Sequence, residues 1–240
     1  LLWILVRFHC LLFWIYPSIY EFDTVDHGIL LHHLEHTFGF QGTTLAWFRS
    51  YLSDRTQTVS INGRLSSPTV FHFVVFLKVV LGPILFILYT QPLSCVIGNH
   101  PVLHHLYADN TQIYSSSSSS EIKATIHNME KCICDVKSWM ICNKLQMNND
   151  KTEAILIATQ RTHLSHALPS TLNINGIPIE FSKSLRNLGI IFDNSFSLHQ
   201  NIMNTCRAAY IELRRISSIR NFLSVAATKT LIASLMLSKL

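Results

Sequence analysis

The sequence has six cysteines (Cys10, Cys95, Cys132, Cys134, Cys142 and Cys206) but no C-x-x-C pair among them. That absence excludes a zinc ribbon and a dithiol redox motif, and it predicts free, mostly buried thiols in a reducing compartment. Charge is sparse as well. Only 14% of the 240 residues are charged against 48% hydrophobic, a balance that excludes a disordered chain and supplies core for about one to two domains. No methionine stands at position 1, and the sequence stops in an apolar run at Leu240, the pattern expected of a piece of a longer reading frame. An unbroken apolar run of spanning length is also missing from the start. Residues 1–16 are rich in Leu, Ile, Phe and Trp, yet Arg7 and His9 interrupt them and Pro17 ends them short of the roughly 20 residues a spanning helix needs. A buried strand is the expected reading, with a small membrane-associated protein anchored by residues 1–16 as an alternative.

The charge that is present is uneven. Residues 1–120 carry 5 Lys/Arg against 6 Asp/Glu, and residues 121–240 carry 14 against 8, so the net +5 resides in the second half. A basic half of this kind suits a surface that meets phosphate backbones. Thirteen histidines include His32 and His36, one helical turn apart, but Glu35 is misplaced for H-E-x-x-H and no metalloprotease centre is expected. His104 and His105 are adjacent in a strand and point to opposite faces, which excludes them as a joint ligand pair.

The hydrophobic periodicity sets out the elements. Residues 26–38 have helical spacing (Ile29, Leu30, Leu34, Thr37) and stop at Gly39, and a second helix follows over residues 43–52. Residues 56–61 alternate and run into Asn62-Gly63, with a return strand over 65–75. Pro83 opens a helix whose residues 84–89 are apolar all round, which predicts deep burial. The serines of residues 115–120 predict a flexible loop. Ser118 and Glu121 have capping-box spacing ahead of a stripe, Ile122, Ile126, Met129, Ile133, Val136 and Met140, that defines an amphipathic helix with a core face. Strands are predicted over 153–159, over 172–181 with a turn at Asn175-Gly176, and over 188–192. From His199 a helix follows, with Ile202, Cys206, Ala209, Leu213 and Ile216 inward and Arg207, Arg214 and Arg215 on the other face. Strands, hairpins and long crossing helices in this order predict an α+β domain on an antiparallel sheet.

Residues 103–114, LHHLYADNTQIY, place the acidic turn Tyr107-Ala108-Asp109-Asn110 between two strand-like runs. This turn resembles the Y-x-D-D turn of reverse transcriptases, and its flanks look like the version found in vertebrate non-LTR (LINE-like) retrotransposons. Four further segments carry the same resemblance in order: Phe22-Asp23-Thr24-Val25-Asp26-His27, Leu81-Gly82-Pro83-Ile84-Leu85-Phe86, Asn143-Lys144-Leu145-Gln146-Met147-Asn148 leading to Lys151-Thr152-Glu153, and Arg186-Asn187-Leu188-Gly189-Ile190-Ile191-Phe192-Asp193.

The resemblance implies a polymerase palm-like antiparallel sheet with packed helices, followed by the first helices of a thumb. It divides the chain into an apolar leading segment (1–20), a palm-like domain (21–198) and the start of a helical thumb (199–240). It also implies two-metal phosphoryl transfer with Mg2+ or Mn2+, an RNA template, a DNA primer and deoxynucleotides as partners, no stable membrane association, and a nuclear or cytoplasmic location. By the same resemblance Asp109 is the metal-ligand candidate, Phe22 and Tyr107 contact the nucleotide, Lys151 serves as a proton donor to pyrophosphate, and Arg207, Arg214 and Arg215 meet the nucleic-acid backbone. The sequence departs from the family at three places. Pro17 stands five residues before Phe22, where a catalytic aspartate is expected; Asn110 replaces the second aspartate of the turn; and Phe76-Leu77-Lys78-Val79 replaces a P-Q-G-S turn. Whether Asp23 or Asp26 compensates for Pro17 is a structural question. The departures predict a catalytically inactive fragment, with a non-catalytic nucleic-acid-binding module as a further alternative.

Overall fold

A computed structural model describes residues 2–12, 25–53, 56–70, 81–159, 168–174 and 176–236. The first of these segments is the strand β1 (Leu2–Leu12), in which Leu2, Ile4 and Val6 are completely buried and alternate with the more accessible Trp3, Leu5 and Arg7. Alternation of this kind places one face of the strand on a core and the other toward solvent. Over Leu2–Leu12 the N-terminal apolar run is therefore a sheet strand, as the buried-strand reading expects, and not a helix.

The helix α1 (His27–His36) begins where the Asp26 side chain accepts a hydrogen bond from the Ile29 N–H, and it is followed by Gly39 at φ 71°. After α2 (Gly42–Leu52) come four two-residue strands, β2 (Thr56–Gln57), β3 (Ser60–Ile61), β4 (Arg64–Leu65) and β5 (Thr69–Val70). The pairs β3 with β4 and β2 with β5 are the hairpin expected around Asn62-Gly63, both at positive φ (51° and 77°) as a type I′ turn demands. Of the return strand expected over residues 65–75, positions 71–75 lie outside the described residues.

Next come α3 (Leu81–Thr90) and α4 (Leu93–Gly98). The sequence predicts deep burial all round α3, but Ile84 and Ile87 are 48% and 49% exposed while Leu85, Phe86 and Tyr89 are buried. One face of α3 packs on α1, and no other described element covers its opposite face. Residues 81–98 are long and apolar enough to cross a membrane by composition, but Gln91 and Pro92 interrupt them as a turn between the two helices.

The strands β6 (Leu103–Tyr107) and β7 (Asn110–Ser117) form the hairpin expected around the acidic turn. The flexible loop predicted for the serine run is corrected in part: Ser115, Ser116 and Ser117 are strand residues, paired with Ile4, Trp3 and Leu2. Serine imposes little preference of its own, so the edge offered by β1 decides their conformation. Ser118 and Glu121 do meet ahead of α5 (Ile122–Cys142), the hydroxyl donating to the carboxylate at 2.8 Å. The predicted stripe of α5 is buried throughout, with Cys132 added to it. Burial and the nearby Asp135 carboxylate push the Cys132 thiol up to about 12. Cys95, Cys142 and Cys206 are exposed, contrary to the expectation of mostly buried thiols.

After β8 (Leu145–Met147) the chain forms β9 (Glu153–Ile157), β10 (Thr171–Ile174) and β11 (Ile177–Glu180), and then β12 (Ser184–Asn187) and β13 (Ile190–Asp193). Sheet order is β6-β7-β1-β8, antiparallel throughout that path, with β9 also paired to β1. Leu188, predicted to begin a strand, is instead in the turn of the β12–β13 hairpin, at φ 46° beside Gly189 at φ 93°. Two helices close the chain, α6 (His199–Ile219) and α7 (Val225–Leu235).

The chain divides into two compact units, one of Leu1–Ala154 with Pro169–Phe181 and one of Ile155–Leu168 with Ser182–Leu240. In the first, α5 lies across β1, β7, β8 and β10. In the second, α6 packs on β13 and α7, with Ala209 and Ile216 buried. Ile202, expected to face inward, is 55% exposed.

The α5 stripe and the open face of α3 lead to opposite expectations for truncation. Met129→Ala, at a fully buried position, is expected to cost about 2–5 kcal/mol in urea denaturation. Ile84→Ala, at a half-exposed one, is expected to cost less than about 1 kcal/mol.

Candidate functional site

The acidic turn is a two-residue connection in which Tyr107 pairs with Asn110 across the ladder. Ala108 has φ 50°, a left-handed conformation that costs an L-residue about 1–2 kcal/mol and that glycine ordinarily supplies in such a turn. Tyr107 is 58% exposed beside the turn, Asp109 is half-buried, and Asn110 is only 6% exposed. The Asn110 Oδ1 is buried and has no hydrogen-bond partner among the described residues. An unsatisfied carbonyl of this kind costs about 1–3 kcal/mol.

The sheet brings a second segment to the same place. Register pairs His9 with Asn110 on one edge of β1 and Cys10 with Met147 on the other, so Asn110 and Met147 flank a single strand, about 10 Å apart at the usual strand spacing. Just beyond Met147, Asn148 caps a short 3-10 turn, its Oδ1 accepting from the N–H groups of Asp150 and Lys151. Lys151 is exposed there. Pro17, Phe22, Asp23 and residues 76–79 lie outside the described residues. The strand residue that the register places beside Asn110 is His9, eight positions before Pro17.

Asp26 is already committed elsewhere. Its Oδ1 accepts from the Ile29 N–H (2.9 Å) and its Oδ2 from Lys144 Nζ (2.5 Å). Burial raises its pKa, but the hydrogen bonds from Lys144, Ile29 and Gly28, with the lysine charge, outweigh burial and hold the carboxyl below the usual range. Both carboxylate oxygens of Asp26 are thus engaged, one in capping α1 and one in an ion pair. The same corner is stitched further by Tyr89, whose hydroxyl donates to the Asn143 carbonyl at 2.7 Å, and by His33, whose Nδ1 lies 3.2 Å from the Tyr89 carbonyl. Burial lowers the His33 pKa, more than the Tyr89 contact raises it.

Magnesium takes an octahedral set of oxygens, with one or two carboxylates beside substrate phosphates. The described residues at the turn supply one carboxylate, Asp109, and one amide oxygen, Asn110. Among the described residues no group of three or more His, Cys, Asp or Glu could hold a metal ion. Among the described residues, this donor set by itself does not fit a two-metal centre.

In the second unit, Asp193 organises the entry to α6. Its carboxylate accepts from the N–H groups of Ser195, Ser197 and Leu198 and from both serine hydroxyls. Burial acts to raise its pKa, and these hydrogen bonds pull it far below the ordinary range. On α6 itself, Arg207, Arg214 and Arg215 are all exposed. Arg215 pairs with Glu212 at 3.1 Å, which leaves it partly neutralised. Tyr210, 71% exposed, lies three residues after Arg207 and four before Arg214, on the same helical face. Tyr210, Arg214, Ser217 and Ser218 with Leu213 line an open groove. Sequence reading missed Tyr210, although its i+3 spacing from Arg207 was the available signal.

An antiparallel sheet with one face under a long helix, and a tight Tyr-x-Asp-Asn hairpin made by its edge strand β6 and the neighbouring β7, defines a polymerase palm-like α+β protein. Residues 21–192 match the family described as reverse transcriptase (RNA-dependent DNA polymerase), and the chain belongs to that family. It is 25% identical over 223 residues to the RNA-directed DNA polymerase from mobile element jockey of Drosophila melanogaster, which covers 90% of this chain. It is 26% identical over 216 residues, 88% of its length, to the probable RNA-directed DNA polymerase from transposon BS of the same organism. The chain spans 23% of the length of each of these relatives.

Asp26→Ala is expected to lower stability by about 1–2 kcal/mol through loss of the cap and the Lys144 contact. Because the folded pKa is depressed, that contribution is present above about pH 3.9 and lost as the pH falls through the folded value. Denaturation series of the parent and the variant should therefore converge at acid pH and differ by a constant amount above it. His33 adds an earlier loss: its depressed folded pKa means that stability falls as the pH drops below about 6.5.

Proposed function

We propose that this chain is the palm and first thumb helices of the reverse transcriptase of a non-LTR retrotransposon, of the type found in vertebrates, and that it lacks polymerase activity in its present sequence. Family membership supports the first part. The donor set at the turn, one carboxylate beside a buried amide oxygen with no partner among the described residues, supports the second. In this reading residues 1–20 are the degenerate strand of the first motif, 21–198 the palm and 199–240 the start of the thumb. Asp109 is the surviving ligand for Mg2+ or Mn2+, Phe22 and Tyr107 contact the nucleotide, and Lys151 stands where a proton would be donated to pyrophosphate. Asn110 keeps an oxygen but removes one negative charge from a site built to hold two divalent ions. If each lost carboxylate removes about 4 kcal/mol of transition-state stabilisation, Pro17 and Asn110 each lower the rate roughly a thousandfold.

Purified chain is expected to give no primer extension on poly(rA) with Mg2+ or Mn2+, and Pro17→Asp with Asn110→Asp and P-Q-G-S at residues 76–79 is expected to restore it. Clear extension by the unaltered chain would overturn the reading of the site. Asn110→Asp alone buries a second carboxylate beside Asp109 and is expected to destabilise the metal-free protein by about 1–3 kcal/mol in urea denaturation.

A binding role without catalysis is favoured by one observation, the Arg207–Tyr210–Arg214 face of α6. The arginines would follow phosphates of an RNA–DNA hybrid and Tyr210 would stack on an unpaired base. Changing Arg207, Arg214 and Arg215 to alanine is expected to reduce the log–log salt slope of hybrid affinity by about two to three, at about 0.9 per phosphate contact. Tyr210→Ala should weaken binding to a single-stranded overhang and leave the slope unchanged. An unchanged slope in the triple variant would leave these arginines as solvated surface.

A further inference from the structure

We propose that His32 and His36 form a bidentate site for a borderline transition-metal ion, Cu2+, Ni2+ or Zn2+, on the exposed face of the last turn and a half of α1. The two rings are stacked, with centroids 4.2 Å apart and planes at 27°. Both side chains are exposed, so entry of an ion needs no rearrangement of the core. Two metal–nitrogen bonds of about 2.1 Å at a cis or tetrahedral angle place the donor atoms about 3 Å apart, a separation that rings with centroids 4.2 Å apart reach by side-chain rotation in solvent.

The tautomer of His36 is set by its surroundings. Its Nδ1 lies 3.1 Å from the His32 carbonyl oxygen, and a ring nitrogen that faces a carbonyl must carry the proton. Neutral His36 therefore keeps its lone pair on Nε2, directed away from the backbone, which is the arrangement that orients a metal-binding imidazole. His33 does not join the pair, since it is buried and its Nδ1 is engaged with the Tyr89 carbonyl. With two protein ligands the remaining coordination positions go to water, which separates this site from a closed structural zinc centre. Imidazole donors also separate it from Mg2+, which takes oxygen ligands. The bound ion bridges one turn of α1, the helix whose start is held by Asp26.

Calorimetric titration of the full chain with NiCl2, beside the His32→Asn, His36→Asn and double variants, tests the site, with the remaining histidines and thiols as a background common to all four. Each single substitution is expected to weaken the tightest site roughly a hundredfold by removing chelation. The double variant should lose no more than either single one, because the two rings act as a unit. Mg2+ should give no heat from this site. Metal-free melting of the variants should stay within about 2 °C of the parent, since both positions are exposed. Full-affinity binding retained in either single variant, or small additive losses, overturns the proposal. A second measurement needs no substitution: Cu2+ bound at one equivalent to the parent chain should show coupling to two imidazole nitrogens in its paramagnetic resonance spectrum, and coupling to a single one overturns the proposal.

Discussion

The first unit depends on one packing contact, the buried stripe of α5 laid across the sheet centred on β1. Seven residues of that stripe, from Ile122 to Met140, are buried. Opposite them β1 presents Leu2, Ile4 and Val6, all fully buried. Apolar burial at about 25 cal/mol per Å2 makes this contact the main reason the sheet and helix hold one register. A slip of one residue in β1 would turn Trp3, Leu5 and Arg7 into the core and expose the inner face. Arg7 adds a polar check on the same register, because its guanidinium meets the Glu153 carboxylate.

Everything near the acidic turn inherits its position from that register. β7 is placed by pairing along β1 from Leu2 to His9, and β8 by pairing from Cys10 to Leu12. The hairpin tip and the segment leading to Lys151 thus come to either side of one strand. A second set of constraints, Asp26 with Lys144, Tyr89 with Asn143 and His33 with Tyr89, ties α1, α3 and the end of α5 together. Of these groups Asp26, Asn143 and Lys144 come from segments that carry the family resemblance, and in this chain they perform structural work. Asp26 illustrates the distinction, since its charge is consumed by a cap and a lysine.

The donor set at the turn has a different character from the frame around it. Ala108 is held at positive φ and, two residues on, the Asn110 side-chain oxygen is buried without a partner among the described residues.

The sequence by itself determined the periodic and the local. The stripe of α5, the Asn62-Gly63 turn, the cap at Asp26 and the Tyr107–Asn110 hairpin were legible because each is encoded by residues close together in the chain. Family membership was legible for the same reason, being carried by short segments in order. Only the tertiary structure decided what depends on a distant partner. Ser115–Ser117 became strand because β1 offered an edge, Ile84 and Ile87 stayed open because no described element covers that face of α3, and Leu188 entered a turn because the β12–β13 ladder needed two residues at positive φ. At the site, the sequence identified Asp109 and Asn110 but not that the Asn110 oxygen would be buried without a partner among the described residues, that His9 would pair beside it, or that Asp26 would be engaged by Lys144. Those facts arise from sheet register and packing across long separations in the chain, which local residue patterns do not encode.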